Sequence, residues 1–204
     1  MTASVPEPEA LWLAITSGDP SRSMPALAAL RELPEEQAIP LLLLGLEQST
    51  FLVRSLACSG LGFKRSEAGW DALLRVLNHD GDDNVRAEAA NALASYGAER
   101  AWPPLRDAFA ANEHWLVRCS ILSALAEHPD MPAAWLLELG RMAIPSMDGT
   151  VRVGGAEILG RLVREGPVTG PGSEEAAAAR ALLQGLQADG DHRVVAAALD
   201  ALQA

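Results

Sequence analysis

Lysine is nearly missing from this chain: of 16 basic residues Lys64 is the one lysine, and the rest are arginine. Against them stand 27 acidic residues, for a formal net charge of −11. A surface of that sign repels phosphate backbones, and the basic residues form no run along the sequence, so a general nucleic-acid role is not expected. Cysteine is scarce too. Cys58 and Cys119 are the whole supply, too few for a disulfide framework, and their spacing fits no zinc or redox motif. Long apolar runs are lacking. The longest, Ile39 to Leu46, contains Pro40 and Gly45 and is far too short to cross a bilayer. Met1 to Ala10 carries acids and prolines but no basic segment, so it does not read as a secretory signal. A soluble, cytoplasmic protein is the expectation.

Chemistry-bearing motifs are equally thin. His79, His114, His128 and His192 share no i, i+4 pairing, and there is no HExxH or mixed Cys-His set. No Gly-rich phosphate loop and no GxSxG motif occurs. No catalytic residue, metal or cofactor is therefore expected. Gly60-x-Gly62 reads as the stop of a helix.

What the chain does have is Ala and Leu, strong helix formers that pack closely. Aromatics make up only 4% of it. An all-α protein follows, and its strongest signal is self-similarity. Val85-Arg86 recurs as Val53-Arg54, Val117-Arg118 and Val151-Arg152, with the arginines 32, 32 and 34 residues apart. With each arginine as position zero, +3 holds Ala57, Ala89, Ile121 and Gly155, and +7 holds Leu61, Leu93, Leu125 and Leu159. These positions and −1 fall on one face of a helix. Two weaker copies flank the four, around Ser23 and Val195, as the outer units of a stacked array tend to be degenerate.

Before each anchor lies a second helical stretch: Glu35–Glu47, Ser66–Asn78, Ala98–Ala111, Met131–Ala143 and Ser173–Ala188. Each unit is a helical hairpin that cannot bury its apolar face alone, so hairpins must stack. The expected architecture is an α-α superhelix, a solenoid of about six HEAT-like hairpins in a single domain. Its units are 7–33, 34–64, 65–97, 98–129, 130–164 and 174–204, with a loop at 165–173. That loop holds two prolines and three glycines, and Ser173 ahead of Glu174-Glu175 reads as a helix N-cap.

The form Asp-x-x-Val-Arg-x-x-Ala-x-x-Ala-Leu, fullest at Asp82 to Leu93 and similar at Asp148 to Arg152, resembles the HEAT-like repeat of the phycobilisome (bilin) lyase type. The resemblance implies a scaffold fold and a structural ladder role for Arg54, Arg86, Arg118 and Arg152. Such an arginine can reach a turn carboxylate, for which Asp82 and Asp148 are placed, or carbonyls of the adjacent unit; an anion site is the alternative. The resemblance also raises a bilin lyase-like subunit, or a factor handling phycobiliproteins in a photosynthetic bacterium, as an alternative function. The leading one is a non-catalytic adaptor or chaperone-like scaffold whose partner is another protein, such as a phycobiliprotein or other light-harvesting component.

The face for that partner is expected on the second helices, lining the concave side. Position +1 holds Ser55, Ala87, Cys119 and Val153, and +5 holds Ser59, Asn91, Ser123 and Glu157. These side chains are small and nearly uncharged, which suits a partner helix; a merely solvated face is the alternative. Cys58 reads as a small core hydrophobe and Cys119 as either an inert or a reactive thiol. Trp70, Trp102 and Trp135 fall early in three first helices, either as packing or as an exposed ridge. Trp115 sits by a turn and is a candidate exposed anchor. The last helix, with no polar cap unit after it, would also allow a homodimer through the C-terminal unit.

Overall fold

In the computed structural model the described residues are 7–166, 170 and 172–203, and among them every regular element is helical. The chain divides into two compact units, Met1–Ala108 and Phe109–Ala204. The first contains α1 (Pro8–Ile15), α2 (Pro20–Ala29) with a 3-10 turn after it, α3 (Glu35–Leu46), α4 (Phe51–Lys64), α5 (Glu67–His79) and α6 (Asp83–Ala94). α7 (Ala98–Ala111) begins in the first unit and ends in the second. The second unit continues with α8 (Trp115–Ala126), α9 (Ala133–Ala143), α10 (Gly149–Glu165), α11 (Ser173–Leu186) and α12 (His192–Gln203).

Each unit is built in two layers. In the first, α3 packs on α4 and α5 on α6 as hairpins, while α2, α4 and α6 form one layer and α1, α3 and α5 the other. In the second, α9 packs on α10 and α11 on α12, with α8, α10 and α12 side by side. This is the stacked helical-hairpin arrangement of an α-α solenoid.

The repeat positions explain the layers. Val53, Val85, Val117, Val151 and Val194 at −1 are all buried, and Leu61, Leu93, Leu125 and Leu159 at +7 are fully so. Each buried leucine is worth about 1.5–3 kcal/mol relative to exposure. The second helices approach closely because small residues meet between them. A Cβ on Gly62 of α4 would lie 2.8 Å from the Ala92 Cα of α6, and one on Gly160 of α10 would lie 2.7 Å from the Ala201 Cβ of α12. Both pairs join position +8 of one helix to +6 of the next.

Gly60 and Gly62 are thus interior residues of α4, not its stop. The helix ends at Arg65, which adopts φ 53° and donates its N–H to the Leu61 carbonyl at 2.9 Å. An arginine takes the left-handed cap that glycine usually fills. Ser173 is likewise not the cap of α11. It is the first helical residue, its hydroxyl donating to the Gly170 carbonyl at 2.7 Å, and Gly172, at φ 89°, precedes it. Within the expected 165–173 loop, residues 167–169 and 171 lie outside the described residues.

Candidate functional site

Except before α4, where Thr50 makes no side-chain cap hydrogen bond, the turns between paired helices repeat one hydrogen-bonding pattern. The residue at −4 caps the second helix: Asp19 takes the Ser21 N–H at 2.9 Å, Asp82 that of Asn84 at 2.8 Å, Asp148 that of Thr150 at 2.7 Å and Asp191 that of Arg193 at 2.9 Å. The residue at −6 in turn accepts the −4 amide. Asp80, Asn112 and Asp189 do so at 2.8–2.9 Å, and the hydroxyls of Ser17 and Ser146 at 3.2 and 3.3 Å.

The anchor arginines reach the −6 residue of the following unit. Arg54 makes two hydrogen bonds to Asp80, and Arg152 makes two to Asp189. Arg118 reaches the Ser146 hydroxyl at 3.4 Å and lies 5.0 Å over the Phe109 ring. Arg54 and Arg152 also donate to two carbonyls of their own turn, at Gln48 and Ser49 and at Ser146 and Met147. Arg86 binds the Asp80 carbonyl and Asp83, with its Nε buried and unpartnered. This corrects the expected carboxylates. Asp82 and Asp148 are spent on capping, because a side chain at −4 stands over the first amides of its own helix; the residue two earlier faces the preceding unit.

A second ladder was not foreseen. It covers the open carbonyls at the C-terminal ends of second helices, which lack helical donors. Lys64 donates to the carbonyls of Arg31 and Leu33 at 2.9 and 2.6 Å, and Ser95 to that of Gly62 at 2.7 Å. Arg161 serves the carbonyls of Ala126 and His128. All three lie at +9 or +10 of the following repeat. The signal was a donor-bearing side chain at that offset, hidden because its type varies.

On the outer side of the second helices the two predicted rows separate. Ser59, Asn91, Ser123 and Glu157 at +5 are exposed. At +1, Ser55, Cys119 and Val153 are half-buried and Ala87 is 5% exposed. Ala87 therefore offers a partner almost nothing, and the Ser55 hydroxyl is buried without a hydrogen-bond partner. Second helices pack directly on one another, which covers positions flanking their contact.

A hollow follows the +1 and +5 rows in the second unit. It is a groove of about 670 Å³ between α8 and α10, lined by Cys119, Ser123, Val153 and Glu157. Leu122 and Gly154 narrow its base: a Cβ on Gly154 would stand 2.9 Å from Leu122. The groove runs from Cys119 and Thr150 to Glu127, Arg161 and Arg164. Burial, then the charges of Asp148 and Glu157, push the Cys119 thiol up to about 11. Burial drives Cys58 higher still, to about 12. In the first unit a shallower hollow of about 330 Å³ lies between α4 and α6 at Ser59 and Asn91.

Trp70 and Trp102 are buried and Trp135 is half-buried, so an exposed tryptophan ridge does not form. Trp70 meets the Tyr96 ring edge-on at 5.2 Å, and the Arg100 guanidinium, held by Glu67, covers its face at 4.2 Å. Trp115 is 44% exposed and stacks beside His114. Among the described residues no three His, Cys, Asp or Glu side chains converge on a metal-sized site, and no helix is long and apolar enough to cross a membrane.

Comparison with known proteins places this geometry. The profile of HEAT repeats matches residues 39–126. No curated protein matches significantly. Among solved structures, the chain is similar to a designed armadillo repeat protein in complex with the peptide (KR)4. There the identity is 18%, covering 98% of this chain and 100% of that one, with a TM-score of 0.59. It is also similar to the complex of CpcE and CpcF of phycocyanin lyase from Nostoc sp. PCC7120, at 19% identity over 98% of this chain and 77% of that one, TM-score 0.58. An engineered protein matches at 21% identity over 97% and 98%, TM-score 0.57. At these identities the likeness is one of fold: stacked helical repeats.

Proposed function

We propose that this chain is a non-catalytic scaffold that binds another protein along the exposed side of its second helices. The observation that carries the reading is the α8–α10 groove. It is narrow-based, lined by small and apolar side chains with Glu157 among them, and Glu127, Arg161, Arg164 and Glu165 lie at one end. An amphipathic partner helix lays an apolar face into such a groove and satisfies its polar rim at the ends. Ser123 and Glu157 face outward for that contact, Trp115 is offered as an anchor on α8, and Ser59 and Asn91 present the corresponding exposed positions in the first unit. Affinity purification from the native cell tests this when Ser59→Arg and Ser123→Arg are run in parallel with the parent. A partner retained by the parent and lost from Ser123→Arg supports the groove; retention by both variants removes it. Self-association through α12, where Leu199 is 42% exposed, belongs to the same reading and is measured by sedimentation.

A second reading, as a bilin lyase-type subunit or phycobiliprotein-handling factor, draws support from the likeness to the phycocyanin lyase complex. Mixing the protein with a linear tetrapyrrole and an apo-phycobiliprotein separates the two by visible absorbance. An unchanged spectrum with no complex formed sinks the second reading and leaves the first standing.

A further inference from the structure

Phe63 is half exposed on α4, in a chain whose large side chains are mostly inside. Three cations gather round it. The Arg31 guanidinium lies 4.2 Å from the ring centroid and the Lys64 ammonium 5.5 Å from it. Arg65 follows at the left-handed cap and, like Phe63, lines the hollow between α4 and α6. Along the sequence Arg31 is remote from the other two; the contact of α4 with the 3-10 turn after α2 brings them together.

The three cations differ in what they have left to give. Lys64 is engaged with the carbonyls of Arg31 and Leu33, and so fixes the end of α4 against the turn after α2. Arg31 and Arg65 are exposed, and among the described residues neither is paired with a carboxylate. A guanidinium held over a ring by its carbon still has N–H groups to give, and these can take a carboxylate bidentately. Beside Phe63 lies a hollow of about 170 Å³ floored by Leu27, Leu42 and Leu56, room for one apolar side chain.

The geometry points to a docking site for an acidic peptide segment carrying one apolar anchor residue. The anchor enters the Leu27–Leu42–Leu56 hollow against Phe63, and flanking carboxylates take the edges of Arg31 and Arg65. This rests on the scaffold reading and names the partner chemistry for the first unit. Charge complementarity selects the occupant: a positive, apolar-centred spot on a protein of net charge −11 favours a short acidic segment that reaches it locally. A polyphosphate chain would carry its charge across the surrounding acidic surface.

The test is amide chemical-shift mapping of the full chain with three probes: acetyl-Glu-Glu-Leu-Glu-Glu-amide, acetyl-Ser-Ser-Leu-Ser-Ser-amide and a short oligothymidine. The glutamate peptide is expected to shift the amides of Ser59, Phe63 and Arg65, with affinity falling as salt rises. Arg31→Ser and Arg65→Gly should each weaken it about tenfold, equivalent to about 1.4 kcal/mol. Glycine suits the left-handed cap, so Arg65→Gly removes the charge without cost to the fold. Equal binding of the serine peptide, shifts away from Phe63, or oligothymidine binding in place of the peptide would each overturn the assignment. Ser123→Arg lies in the other unit and should leave peptide binding unchanged, so loss of the groove partner and loss of this site are read separately.

Discussion

Arg54 closes on Asp80 through two parallel hydrogen bonds, Nε to Oδ2 at 2.8 Å and Nη2 to Oδ1 at 2.9 Å, across 26 residues of sequence. The two side chains are 17% and 10% exposed. A planar, partly buried fork of this kind holds one hairpin to the next and is stronger than an exposed ion pair. Arg54→Ala would leave the Asp80 carboxylate without its main donor and should destabilise the protein by about 2 kcal/mol. Urea unfolding of Arg54→Ala, Asp80→Ala and the double variant gives the coupling directly. Additive losses in that cycle would show that the pair contributes nothing as a pair.

The same carboxylates set the acid limit of stability. Burial raises the Asp80 carboxyl, but the hydrogen bonds from Arg54 and the Asp82 amide, with the charges of Arg54 and Arg86, together outweigh it and hold the group below its ordinary value. Arg152 lowers Asp189, and the side chain and amide of Arg193 bring Asp191 down to about 2. Folded pKa values below the unfolded ones mean stability that is present above about pH 4 and lost as pH falls through the folded values. The thermal midpoint should therefore stay level from neutral pH to about 4 and drop between about 4 and about 2. Asp80→Asn should shallow that limb while lowering the neutral plateau. A limb unchanged in Asp80→Asn would place the acid-sensitive groups elsewhere.

Glycines at helix contacts and on open faces should respond with opposite signs. In an exposed helix, Gly→Ala gains about 0.5 kcal/mol by lowering unfolded-state entropy. Gly185 in α11 has nothing within 4 Å of its Cβ position and should show that gain. At Gly62 the added methyl would press on the Ala92 backbone at 2.8 Å. Backbone yields less readily than a side-chain tip, so Gly62→Ala should cost about 1–3 kcal/mol. Denaturant midpoints of the two single variants decide it, and a stabilised Gly62→Ala would mean that α4 and α6 are free to separate.

The fold was legible because one register of Val, Ala and Leu at −1, +3 and +7 repeats with little variation, and burial depends only on apolarity at fixed spacing. The site was legible only in part. The +5 positions face outward as the helical period requires, but Ala87 at +1 is covered, since how closely neighbouring helices pack depends on Gly and Ala pairs far apart in sequence. The arginine ladder was visible, and its acceptors were misplaced by two residues, because an Asp at −4 and one at −6 differ only in the direction their side chains take from the turn. Arg31 joining Lys64 and Arg65 at Phe63 left no sequence trace at all. It depends on the contact of α4 with the 3-10 turn after α2, which no short motif encodes.

The groove between α8 and α10 can be read chemically through Cys119. Only the thiolate attacks an alkylating agent, and burial together with Asp148 and Glu157 pushes this thiol up to about 11. At neutral pH Cys119 should react with iodoacetamide much more slowly than free cysteine, and its rate should climb with pH until about 11. Cys58, with no exposed surface, should stay unlabelled while the protein is folded. Mass spectrometry of timed digests separates the two sites. Glu157→Gln removes one of the two opposing charges and should raise the Cys119 rate at neutral pH without altering Cys58. Equal rates at both cysteines, or a Cys119 rate matching free cysteine, would mean that the groove is not the half-buried, acid-flanked channel that α8 and α10 form. A bulky maleimide at Cys119 fills the same channel. It should therefore block the groove partner as Ser123→Arg does, while leaving the acidic peptide site at Phe63 intact.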